Sequence, residues 1–158
     1  MNESKLILVL GDQHSLNQPA LKQAEPGRDI IVLAEVAEEA TYVRHNRHKI
    51  ALLFAAMRHF RLELEALGHN VHYTAIDQGV ASLEEAVRKV LVQTAATEVV
   101  VCEPGEYRLV HQMRTAWSSS LGVPVTVLED DRFMASHDDF ELWAVSYTHL
   151  TLPTKRIV

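Results

Sequence analysis

The sequence predicts an α/β fold: a doubly wound, five-stranded parallel sheet of Rossmann-like type. Five short apolar runs, each followed within a few residues by glycine or an acid, alternate with stretches of helical periodicity. The runs are almost continuously apolar, as expected of strands buried on both faces. Strict alternation of strand and helix requires parallel pairing with crossover connections, which places helices on both sides of the sheet.

"KLILVLGDQ" gives the first strand and a sharp turn, and "SLNQPALKQA" a short connection interrupted by Pro19. "RDIIVLAEV" is the second strand. A long helix is expected from about Arg44 to Leu67, because Ile50, Leu53, Phe54, Met57, Phe60, Leu64 and Leu67 recur at three and four and Gly68 stops it. Burying that stripe is worth on the order of 10 kcal/mol or more gross, at about 1.5 to 3 kcal/mol per large apolar side chain. "NVHYTAI" is the third strand. "SLEEAVRKVLVQTA" is a helix capped by Ser82 with Glu85 three residues on, and "EVVVCEP" is the fourth strand. "GEYRLVHQMRTAWSSSLG" reads as a helix with Leu109, Met113, Ala116 and Trp117 on one side, and "VPVTVLED" is the fifth strand.

With 158 residues, 47% of them hydrophobic, the chain suits one core rather than two. A formal charge of -6 argues against a nucleic-acid clamp, whose affinity comes from clustered cations on phosphates. The single cysteine, Cys102, lies in an apolar run and forms no internal disulfide. The apolar run from Leu6 to Leu10 is too short for a signal core or a membrane span, so a cytoplasmic location without membrane contact is expected.

In doubly wound sheets, ligands sit beyond the carboxyl ends of the strands where strand order reverses. The residues at that rim are Gly11, Asp12 and Gln13, then Glu35 and Val36, Asp77, Glu103 and Pro104, and Glu129 to Asp131. The first turn, "GDQHSL", lacks the glycines that let backbone approach a pyrophosphate, and no P-loop occurs. Asp12 and Gln13 suit hydrogen bonds to a polar, uncharged ring or hydroxyl chain, or simply a turn closed by Asp on its own backbone. Charge order poses a puzzle between Val32 and Phe60, where Glu35, Glu38 and Glu39 give way to Arg44, His45, Arg47, His48 and Lys49. Cations at a helix start oppose the macrodipole. His45 and His48 share a helix face, yet H-x-x-H alone is a weak metal signal, and no metal site or catalytic triad is expected.

Three separated motifs, "LVLGDQHSLNQPAL", "VLAEVAEEATYVRHNRHKIALLFAAMRHF" and "EPGEYRL", resemble the amino-terminal domain of the deoxyribodipyrimidine photolyase-related proteins. These form the bacterial (6-4) photolyase-like branch of the photolyase and cryptochrome superfamily. The resemblance implies an α/β antenna domain over residues 1–144 that precedes a helical domain holding FAD, a 4Fe-4S cluster and damaged DNA. Excited reduced flavin there reverses pyrimidine photoproducts, and some members seat a ribityllumazine antenna against the α/β domain. On that reading Gly11, Asp12, Gln13, Glu35, Glu38, Tyr42 and Glu103 are candidates for the antenna pocket or its rim. Arg44, His45, Arg47, His48 and Lys49 would face the other domain or DNA. No catalytic residue is expected in this part. The resemblance stops near Ala144; "VSYTHLTLPTKRIV", residues 145–158, reads as adapter-like and non-native, and the helical FAD domain with its cluster cysteines is expected to be missing. The alternatives are a cryptochrome-like photoreceptor and a free-standing nucleotide-binding α/β module.

Overall fold

A computed structural model describes residues 4–146. Five strands, β1 (Ser4–Leu8), β2 (Ile30–Ala34), β3 (Asn70–Thr74), β4 (Ala96–Cys102) and β5 (Val125–Leu128), form one sheet in the order β3-β2-β1-β4-β5. All four pairings are parallel. The sheet is therefore the five-stranded parallel one expected, and strand order reverses between β1 and β4.

Side chains alternate across a strand, so each strand feeds two cores. Leu6, Leu8, Val32, Val99 and Val101 point to one face, where they meet Leu83, Val87 and Val90 of α4 (Leu83–Gln93). Leu109 of α5 (Tyr107–Gln112) joins that core, together with Met113 and Trp117. Ile7, Val9, Ile31, Leu33 and Val100 point to the other, against α1 (Pro19–Lys22) and α3 (Arg47–Ala66). α3 contributes Met57, Phe60 and Leu64 to that core.

Several boundaries differ from the expectation. A separate short helix, α2 (Ala37–Thr41), precedes α3, which starts at Arg47 rather than Arg44. Asn46 is its N-cap, and its side chain accepts from the His48 amide at 2.8 Å, so Arg44 and His45 lie outside the helix. Only three of the seven stripe residues are fully buried, which lowers the gross contribution to roughly 5 to 9 kcal/mol. Leu67 is 52% exposed, whereas Ile50, Leu53 and Phe54 stand at the sheet's upper edge. Gly68 ends α3 with φ +84°, as a left-handed stop requires.

The expected cap of α4 is present, with Ser82 Oγ accepting from the Glu85 amide at 3.2 Å. After α5 the helix widens into a π segment, Met113–Trp117, and continues as α6 (Ser118–Leu121). The wider turn keeps Leu109, Met113 and Trp117 inward at a spacing of four and leaves Ala116 exposed, contrary to expectation. α7 (His137–Ser146) closes the described chain. Most of the stretch expected to be non-native, residues 147–158, lies outside the described residues.

Candidate functional site

A cleft of about 380 Å³ opens where strand order reverses, over the ends of β1, β2 and β4. Its floor is apolar, with Leu10, Ala34 and Val36 from the strands. Ile50, Leu53 and Phe54 of α3 form one wall, and Leu83 and Leu109 another. Gly11 lets α3 approach the sheet: a Cβ there would meet Leu53 Cδ2 at 3.3 Å and Met57 Sδ at 3.5 Å. Polar groups stand around this floor. They are Asp12, Glu39, Tyr42, His45, Lys49 and Glu106. Apolar walls with a few polar groups suit a small organic ligand, whose sites occupy roughly 300 to 1,000 Å³.

The acids of this rim converge on one cation. Arg108 donates through Nη1 to Glu38 Oε1 at 3.0 Å, through Nη2 to Glu39 Oε1 at 3.0 Å and through Nε to Glu106 Oε1 at 2.7 Å. Its guanidinium also lies 4.8 Å from the Tyr42 ring centroid. Three carboxylates on one guanidinium leave net negative charge. Burial, with Glu106 and Glu38 nearby, holds the Glu39 carboxyl above its ordinary value despite Arg108. A hydrogen bond to Glu106, and then burial, raises the Tyr42 phenol as well. Among the described residues Arg44, Arg47 and Lys49 make no ion pair, and of the three Lys49 lines the cleft. His45 packs edge-on against Tyr42.

Of the residues expected in one pocket, Gly11, Asp12 and Tyr42 line this cleft together. Glu38 stands behind it on Arg108, and its neighbour Glu39 is the acid that faces in. Glu35 is elsewhere. Its carboxylate is fully buried and takes two hydrogen bonds from Arg58, at 2.6 and 2.8 Å, one from the Tyr73 hydroxyl and one from the Ile76 amide at 3.0 Å. Burial pushes that carboxyl up, but these donors together bring it below its ordinary value. All its acceptor capacity serves the fold, because a buried carboxylate is tolerated only when so satisfied.

Gln13 is buried and stitches two strand ends, its Nε2 donating to the carbonyls of Cys102 at 3.3 Å and Glu103 at 2.9 Å. Glu103 lines a second cleft, of about 970 Å³, beyond β4 and β5. There it accepts from Arg114 at 2.7 Å and pairs with His137 at 2.9 Å. Arg132 in the same cleft is spent on Asp130 and on the Asp12 carbonyl. His45 and Lys49, expected to face the other domain or DNA, line the first cleft, whereas Arg44, Arg47 and His48 are exposed outside it.

The sequence reading missed Ile50 and Leu53 as cleft wall, and it missed Arg108. The wall looked like core because a stripe at helical spacing does not say where the sheet beneath it ends. Arg108 stood inside the "EPGEYRL" motif, where a cation following two acids was the available signal. No group of three or more His, Cys, Asp or Glu able to hold a metal occurs among the described residues. Nor is any described helix long and apolar enough to cross a membrane.

Fold and cleft together define a Rossmann-like α/β domain with a ligand-sized opening at its strand-order reversal. The chain belongs to the deoxyribodipyrimidine photo-lyase-related protein family, whose model matches residues 7–154 and so runs past Ala144. It is 39% identical over 151 residues to a protein named (6-4) photolyase from Agrobacterium fabrum (strain C58 / ATCC 33970). That similarity covers 94% of this chain and 30% of the relative, so the chain spans under a third of that relative's length.

Proposed function

We propose that this chain is the amino-terminal α/β part of a light-driven, FAD-dependent photolyase-like protein that repairs pyrimidine photoproducts in DNA, and that its cleft seats a ribityllumazine-type antenna. Family membership supports the first half. The observation that carries the second is the cleft itself: an apolar floor at the β1/β4 reversal, bounded by Tyr42 and Phe54 and edged with polar groups.

The residues present fit such a ligand. Ile50, Leu53 and Phe54 offer flat apolar surface to a heteroaromatic ring, and Asp12, His45, Lys49 and Glu106 offer donors and acceptors to its edge and hydroxyl chain. When bound, an antenna absorbs light and passes the excitation to a flavin. A cysteine-ligated cluster does not fit these residues. The one cysteine, Cys102, is buried in β4, and burial, with Asp130 nearby, pushes its thiol up to about 11, away from the thiolate a metal needs. On this reading FAD and the cluster belong to the helical part of a longer protein, as the family resemblance implies. Arg44, Arg47 and His48, exposed beside the cleft, face that part or its DNA.

Titrating the chain with a ribityllumazine, read by ligand fluorescence anisotropy, tests the antenna assignment. One-to-one binding is expected, lost on Ala40→Trp, which fills the cleft; absent binding, or binding indifferent to that substitution, contradicts it. Light-dependent repair of a photoproduct-bearing oligonucleotide by the longer protein tests the parent activity. Failure to repair it under reducing light would reject the lyase reading.

A further inference from the structure

We infer that Arg108 is a positioning residue that holds the cleft closed on its ligand, by tying α2, which supplies one wall, to the start of α5, which supplies another. This rests on the cleft being a ligand site, as proposed above.

α2 has only five residues and none of them is buried, so apolar packing does little to fix it. A backbone bond from the Glu38 amide to the Ala81 carbonyl, 3.0 Å, anchors its far side to the loop before α4. The side facing α5 is held by Arg108, through Glu38 and Glu39 of α2 and Glu106 at the N-cap of α5. Glu39, Tyr42 and Glu106 line the cleft, whereas Arg108 does not, so the guanidinium acts from behind the wall that it fixes. Each of its three nitrogens engages a different carboxylate. A planar fork does this at one fixed geometry; a lysine ammonium, a point charge on a flexible stem, does not.

Opening and closing of this wall should govern release more than capture, because a ligand must part the clasp to leave. In stopped-flow measurements with a ribityllumazine, Arg108→Met should raise the dissociation rate about tenfold while the association rate changes by less than about threefold. Arg108→Lys should recover only part of that loss. Hydrogen exchange of the ligand-free chain supplies an independent readout, with the Glu38 and Tyr42 amides, bonded to the Ala81 and Glu38 carbonyls, expected to exchange about tenfold faster in Arg108→Met. Should that variant fail to fold, the double variant Glu38→Gln, Glu39→Gln removes two of the three anchoring charges and is expected to behave alike. Unchanged release together with unchanged exchange in α2 overturns the positioning role. If the wild-type chain binds no ribityllumazine, the antenna reading fails, and exchange in α2 alone decides whether Arg108 holds the wall.

Discussion

At Glu35 one fully buried carboxylate gathers a guanidinium, a phenol and an amide around itself, whereas at Arg108 one guanidinium gathers three carboxylates at the lip of an open cleft. The two knots invert each other's stoichiometry. Saturating a buried anion with donors fixes β2, β3 and α3 to one another and leaves nothing over for a ligand. Crowding acids around a half-exposed cation leaves each contact individually weak and the ensemble adjustable. The same edge of the sheet thus carries a structural rivet and a movable wall, and a carboxylate's place in the sequence did not tell which it would be.

Removing the rivet should have the largest effect. Glu35→Ala strands Arg58, the Tyr73 hydroxyl and the Ile76 amide, and should lower unfolding stability by about 3 kcal/mol in urea titrations. A loss under about 1 kcal/mol would mean that solvent already satisfies those donors. By contrast, Arg108→Met should cost only about 1 to 1.5 kcal/mol, in keeping with a tenfold loosening of α2, because its partners remain reachable by water.

Acid titration sharpens the contrast further, because the two knots respond with opposite sign. The Glu35 carboxyl lies below its ordinary value, so its stabilisation is complete above the unfolded-state value of about 4.3 and is lost as pH falls through the lower folded-state value. Glu39 lies above its ordinary value, so its stabilisation is complete below about 4.3 and is lost as pH rises through the folded-state value. The stability difference between wild type and Glu35→Gln should therefore grow as pH rises from about 3 to 7, and that for Glu39→Gln should shrink. Slopes of the same sign in urea midpoints would contradict the assignment. The smallest effect expected is that of Gly11→Ala, about 1 kcal/mol or less, since Leu53 need give only a few tenths of an ångström.

The central strands were readable because burial on both faces forces apolar runs such as "LILVL" and "VVVC", bounded by turn residues. The upper half of α3 was not. Periodicity marks Ile50, Leu53 and Phe54 as one apolar face, but whether that face meets a sheet or open space depends on where β1 and β2 stop. Asn46 was a legible cap that was passed over in favour of the cations around it. The inward spacing of Leu109, Met113 and Trp117 came through, whereas the π turn that excludes Ala116 is a backbone event with no side-chain signature. Among the acids beyond the strand ends, Glu35 and Glu103 have separate partners on α3, on the segment after α5 and on α7, and only the tertiary fold reveals which acid is spoken for.

The most direct measurement is hydrogen exchange of the chain with and without saturating ribityllumazine. Protection should concentrate at Gly11, Asp12, Tyr42, Ile50 and Glu106, around the first cleft, with none at Arg132 to Asp138 around the second. Protection confined to the second cleft, or absent from both, would contradict a ligand seat at the β1/β4 reversal.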